Sequence, residues 1–224
     1  MRRTSLLAAL LCILAPTIIA QDPVQVDSKH YTVLLENESV RVLKIRYGAK
    51  EKSVMHEHPD AIAVFMDKST AKFNMPDGTS TPSDAKAGEV RFTPAGKHLP
   101  ENVGGKPFEV ILVELKGGSA ASPASVALDA AKVDPERHKV EFENDRVRVL
   151  RAKFKARDRS KEHEHPKAVA IFLTDIPGKI TLADGTTSNR IGKRGEVMWL
   201  EAEKHTVENP SDKAAEVILV ELKK

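Results

Sequence analysis

The sequence repeats itself without a gap. Set against itself at an offset of 107, residues 26–116 align with residues 133–223, and 40 of the 91 pairs are identical. Val26-Asp27 falls on Val133-Asp134, Glu36-Asn37 on Glu143-Asn144, and His56-Glu57-His58-Pro59 on His163-Glu164-His165-Pro166. The register then runs through Gly88-Glu89-Val90 and Gly195-Glu196-Val197 to Glu109–Lys116 and Glu216–Lys223. Whatever one copy folds into, the other must fold into as well, and each is large enough to hold its own core. Between them, Gly117 to Ser125 is a small-residue stretch with no apolar periodicity, which reads as a linker. The expected organisation is a leader at 1–20, a first domain at 24–117, a linker at 118–131 and a second domain at 132–224.

The leader is read from Met1-Arg2-Arg3, the apolar run Leu6 to Leu14, and Ala20 as a small-residue cleavage point, which together describe a secretory signal. The run is too short to span a bilayer, so no stable membrane insertion is expected once it is cut. Leu11 before Cys12 argues against a lipid anchor. The expected compartment is therefore periplasmic or extracellular. Removing the leader takes away the only cysteine and two arginines, leaving 33 basic against 32 acidic residues, a balance of +1. That excludes disulfides and cysteine chemistry, and it gives no overall field for a polyanion. With one Trp and two Tyr there is little material for stacking bases, so nucleic acid is not an expected partner.

Within each copy the apolar runs are short and rich in Val, Ile, Leu and Phe: Val40 to Ile45, Ala61 to Met66, Glu89 to Thr93 and Val110 to Leu115 in the first. Asp77-Gly78 and Asp184-Gly185 lie between strand-like flanks, the chemistry of a hairpin turn that needs positive φ. No long helical stripe competes. The fold class expected is all-β, with each copy a sandwich or barrel.

Six of the eight histidines form matched triples: His56, His58 and His98, then His163, His165 and His205. On a strand, residues i and i+2 project to one face, so each H-x-H pair points together. A third histidine from a distant strand completes three nitrogens around a divalent ion such as Fe, Mn, Zn, Ni or Cu, with positions left open for water or substrate. The competing reading is exposed strand or turn histidines with no metal.

These motifs resemble the cupin superfamily, specifically a bicupin made of two tandem cupin-type β-barrels, or jelly rolls. His56-Glu57-His58 and His163-Glu164-His165 match the first cupin motif. Gly88, Pro94-Ala95-Gly96, His98 and Asn102 follow the order of the second motif, one residue short between the P-x-G and the His. In the second copy Gly195, His205 and Asn209 match, while Glu201-Ala202-Glu203 replaces Pro-x-Gly. The resemblance implies one divalent ion per domain, a small-molecule ligand or substrate, and a monomer or homodimer in which the two units can pack as an internal pseudo-dimer. It also exposes departures. The places where relatives carry a metal-binding carboxylate are Ile62 and Ala63, or Val169 and Ala170, none of which can coordinate. Gly48 lies near the start of the first motif, and Lys155 is its counterpart.

Further residues carry expectations. Glu57 and Glu164 should face away from the paired histidines. Asn102 and Asn209 are candidates to hold the third histidine or its turn. Glu203 shares strand parity with His205 and is a candidate second-site carboxylate. His30 and His138 do not align and read as surface residues, and Glu114 and Glu221 read as solvent-facing strand ends. Ile62, Val64, Met66, Val169, Ile171 and Leu173 are the expected pocket walls. Three functions stay open: a metal-dependent oxygenase or isomerase, a non-enzymatic small-molecule-binding module, and a structural bicupin with vestigial sites.

Overall fold

The computed structural model describes residues 21–117 and 126–223. The leader and residues 118–125 of the linker lie outside the described residues. In the first unit the elements are α1 (Pro23–Val26), β1 (Tyr31–Glu36), β2 (Val40–Tyr47), β3 (His56–His58), β4 (Ala61–Phe65), β5 (Ala71–Asn74), β6 (Ser80–Pro82), β7 (Val90–Thr93), β8 (Gly96–Asn102) and β9 (Phe108–Leu115). The second unit has α2 (Ala130–Val133), β10 (His138–Glu143), β11 (Val147–Phe154), β12 (His163–His165), β13 (Ala168–Phe172), β14 (Ile176–Leu182), β15 (Thr187–Gly192), β16 (Val197–Leu200), β17 (Glu203–Glu208) and β18 (Ala215–Leu222). Each helix is a single turn capped by an aspartate, Asp22 or Asp129. The second helix begins inside the range read as linker.

Both units have the same two-sheet topology. A five-stranded antiparallel sheet, β1-β2-β9-β4-β7, faces a four-stranded one, β3-β8-β5-β6, and the second unit repeats the order. The hairpin joining β5 to β6 is closed by Gly78 N–H donating to the Met75 carbonyl, with Gly78 at φ 85°. Positive φ falls on the glycine alone, as it does at Gly185, so this is a turn ending in a glycine bulge rather than a two-residue turn with both centres left-handed.

The central strands of the five-stranded sheet, β2, β9 and β4, are buried on both faces, and this overturns the expected pocket walls. Leu43, Ile45, Tyr47, Ala63, Phe65, Val110 and Leu112 turn into their own barrel. Val40, Val42, Ile62, Val64, Met66, Ile111 and Val113 turn outward and join Val147, Val149, Val169, Ile171, Ile218 and Val220 in one core shared by the two units, with Leu173 packed against it. Residues on alternate positions thus serve different cores, which is why β4 and β9 read as unbroken apolar runs. The contact is isologous: β1 meets β16 as β10 meets β7. Phe92 stacks on Phe142 at 5.2 Å, and Arg146 reaches Asp60 at 3.0 Å.

Candidate metal centre

Pairing of β3 with β8 sets His56 directly opposite His98, and pairing of β12 with β17 does the same for His163 and His205. Because His58 lies two residues along the same strand, three imidazoles meet on the inner face of the four-stranded sheet. Their rings are 4.8 Å (His56–His58), 5.1 Å (His56–His98) and 5.5 Å (His58–His98) apart. In the second unit the matching distances are 4.8, 4.7 and 5.6 Å. The third histidine of each motif is therefore brought in by strand register.

The hydrogen bonds fix which nitrogens face inward. His56 Nδ1 lies 2.8 Å from the Val54 carbonyl, and His163 Nδ1 lies 2.8 Å from the Lys161 carbonyl. A carbonyl only accepts, so both Nδ1 atoms carry the proton and both Nε2 atoms present a lone pair. His58 Nδ1 donates to Glu114 Oε1 at 2.6 Å, and His165 Nδ1 to Glu221 Oε1 at 2.7 Å, which leaves their Nε2 atoms unprotonated too. His56 Nε2 and His58 Nε2 consequently face each other, acceptor to acceptor, at 3.1 Å. Two nitrogens bound at about 2.1 Å to one ion stand at about that separation. In the second unit His163 Nε2 is buried with no hydrogen-bond partner, an arrangement costly unless something electrophilic is held there.

Burial holds the imidazoles neutral. It lowers the pKa of His56 to about 4, with the neighbouring His58 adding to the effect, and that of His98 to about 3. Burial likewise lowers His165 to about 3 and His205 to about 2. Neutral rings with converging lone pairs are the form in which histidine binds a metal.

Glu114 and Glu221 are not solvent-facing strand ends, because each is 1% exposed. They share the inward parity of Val110 and Leu112, or Val217 and Leu219. Glu114 also accepts from Arg41 Nε at 2.5 Å, and Glu221 from Arg148 Nε at 2.6 Å. Each arginine is tied in turn to a helix-capping aspartate, Asp22 or Asp129. Burial pushes the Glu114 pKa up, but His58 and Arg41 outweigh it and hold the group below the usual range. A carboxylate–histidine arrangement of this kind fixes the ring's orientation and raises its basicity toward a metal.

His30 and His138 are not surface residues either, at 6% and 2% exposure. His30 bridges Asp27 at 2.8 Å and Glu51 at 3.3 Å and stacks on Tyr47. His138 opens β10 beside His163, with ring centroids 4.5 Å apart. Donor atoms of His56, His58 and His98 all lie within 4.8 Å of one another, and so do those of His138, His163 and His165; His205, with its ring 4.7 Å from that of His163, stands beside that second set rather than in it. The aligned position in the first unit is Tyr31, which the histidine pattern could not reveal.

Asn102 does not touch the third histidine. Its amide donates to the carbonyls of Gly48 and Lys106 and accepts from Gly104 N–H, while Asn209 donates to Lys155 and Lys213. Both hold turns. Glu57 is exposed, whereas Glu164 is half-buried and accepts from Ala127 N–H at the start of the second unit. Glu203 lies on β17 with its carboxylate 3.3 Å from His205 Nδ1 and 3.5 Å from Arg190.

Both clusters border apolar cavities, the first through His58 and His98 and the second through His138, His163, His165 and His205. That of the first unit measures about 410 Å³ and is lined by Tyr47, Phe65, Phe73, Phe108 and Arg91 among others, while that of the second is about 80 Å³ and includes Phe172, Ile180 and Arg190.

No protein-family model matches the sequence, and no curated protein matches it. Solved structures do. AerE from Microcystis aeruginosa aligns at TM-score 0.61 and 12% identity over 87% of this chain and 98% of that one. A structure of Bacillus subtilis oxalate decarboxylase, from work on its Mn(II) centres, aligns at TM-score 0.57 and 13% identity over 85% of this chain and 71% of that one. A cupin domain from Bordetella pertussis aligns with 39% of this chain and 92% of its own length at 27% identity and TM-score 0.37. The chain has the bicupin fold, as its motifs implied.

Proposed function

We propose that the protein holds one divalent ion per domain through its histidine clusters and acts in the periplasm or outside the cell as a metal-dependent oxygenase or isomerase on a small organic molecule. The observation that carries this reading is the convergence of unprotonated, buried imidazole nitrogens beside an apolar cavity. The Mn(II) centres named for Bacillus subtilis oxalate decarboxylase support a divalent ion, with Fe, Mn, Zn, Ni and Cu all compatible with imidazole. The ion would supply a Lewis acid able to polarise a bound oxygen.

The chain's own residues supply the rest. Glu114 and Glu221 orient His58 and His165, aromatic side chains line the cavities, and Arg91 and Arg190 stand there with their carboxylate partners Glu89 and Glu203, a polar pair for a small organic acid to engage. Of the residues lining the first cavity none is a carboxylate, and this favours a second reading for that domain, capture without chemistry.

The test is elemental analysis of the mature chain purified without a histidine tag, followed by turnover assays on small organic acids with the metal-loaded protein. The expected result is two ions per chain at saturation, lost from the first domain in His56→Ala and His98→Ala. Substoichiometric metal in wild type and variants alike would overturn the metal reading. Metal with ligand retention but no turnover would favour capture.

A further inference from the structure

The two histidine clusters are not equivalent. At the gapless offset of 107, Tyr31 corresponds to His138 and Tyr47 to Phe154. In the first unit the Tyr31 hydroxyl lies 3.0 Å from His56 Nε2 and 2.7 Å from the Tyr47 hydroxyl. His56 Nδ1 already carries the ring proton, so the Tyr31 hydroxyl donates to the bare Nε2 and accepts from Tyr47. One of the three inward nitrogens is thus occupied by a proton donor.

The second unit has no such donor. Phe154 offers no hydroxyl, and His138, 2% exposed, replaces the phenol with an imidazole. His138 Nδ1 is directed at the Asp134 carbonyl, 3.3 Å away, which leaves Nε2 as the free donor atom. Its ring is 4.5 Å from His163 and 5.6 Å from His165, and His163 Nε2 has no partner. The fourth ligand that Val169 and Ala170 cannot supply is therefore available from the first strand of the domain.

We propose that His138 is a fourth metal ligand, so that the second domain binds a divalent ion through His138, His163, His165 and His205 and holds it more tightly than the first domain, where Tyr31 stands in that place. The inference rests on the metal-binding reading above and adds an order of affinity and a donor set to it. A fourth imidazole replaces a water in the ion's shell and adds a strong field, whereas the Tyr31 hydroxyl must give up its hydrogen bond to His56 before an ion can take that nitrogen.

The experiment uses the full mature chain, stripped with a chelator and titrated with Zn²⁺ against a competing chelator, with Cu²⁺ electron paramagnetic resonance to count coordinated nitrogens. Wild type should show two classes of site. His138→Tyr, which copies the first domain, should weaken the tighter class by roughly 10- to 100-fold and remove one nitrogen from its spectrum, an effect at least as large as losing an outer partner of a ligand. Tyr31→His should move the weaker class toward the tighter one, and it carries the test if His138→Tyr does not fold. His165→Ala separates the two levels of the reading. Unchanged metal content in His165→Ala sinks metal binding in the second domain itself. Loss in His165→Ala, with affinity and nitrogen count unchanged in His138→Tyr or no gain in Tyr31→His, overturns the role of His138 alone.

Discussion

Replacing Glu221 by alanine tests whether the buried carboxylate is what holds the second cluster together. Glu221 is 1% exposed and accepts from His165 Nδ1 at 2.7 Å and from Arg148 Nε at 2.6 Å. Its removal leaves an imidazole N–H with no acceptor where water does not reach, and it leaves Arg148 with Asp129 alone. An unmade buried hydrogen bond costs about 1–3 kcal/mol, and breaking a buried ion pair from one side costs about 3–5 kcal/mol. The two overlap, so the expected loss is about 3–5 kcal/mol of stability, accompanied by a fall of about 10- to 100-fold in metal affinity as His165 loses its orientation. The chain has a single tryptophan, Trp199, on β16 of the same domain, so urea unfolding followed by its fluorescence reports this domain. Lys204→Ala, on an exposed position of β17, is the control and should stay within about 0.5 kcal/mol of wild type. A Glu221→Ala protein within about 1 kcal/mol of wild type, with metal affinity intact, would show that the carboxylate neither supports the fold nor aims the ring.

Acid should destabilise the metal-free protein. His98 and His205 titrate at about 3 and about 2 when folded, because burial and neighbouring rings disfavour their charge, against 6.5 in an unfolded chain. Between those limits the unfolded state binds more protons, so stability present above pH 6.5 is lost as pH falls, by about 1.4 kcal/mol per group and pH unit; thermal melts from pH 7 to pH 4 that stay flat would contradict this. Gly192→Ala should cost about 1–3 kcal/mol, since a Cβ there would lie 2.3 Å from the Phe172 ring, and urea unfolding measures it. Expressed alone, residues 21–117 should self-associate through the uncovered face of Val40, Val42, Ile62, Val64, Ile111 and Val113. Sedimentation should give a dimer or larger species, and Ile111→Asp should abolish it if the fragment folds.

The sequence alone carried the duplication, the all-β class and the paired histidines, because each is a local or self-referential property. Side chains two apart on a strand share a face whatever the strand pairs with, so His56 with His58 and His163 with His165 were legible from spacing. The third histidine needed the pattern of a second motif, and only the antiparallel register of β3 with β8 and β12 with β17 set it opposite the first.

What the tertiary structure decided is which face of each strand turns inward. In a sheet buried on both sides, alternate residues are equally apolar, and nothing in the run Val110–Leu115 says which set lines the barrel and which meets the other domain. That ambiguity is why Ile62 and Val64 read as pocket walls although they pack between domains, and why Glu114 and Glu221 read as exposed although they hold the histidines. His138 was hidden for a different reason. It lies outside the repeated triple, aligned with a tyrosine, and only the pairing of β10 into the barrel brings its ring against His163. Local spacing determined which groups can act together, and closure of the sheets determined which ones meet.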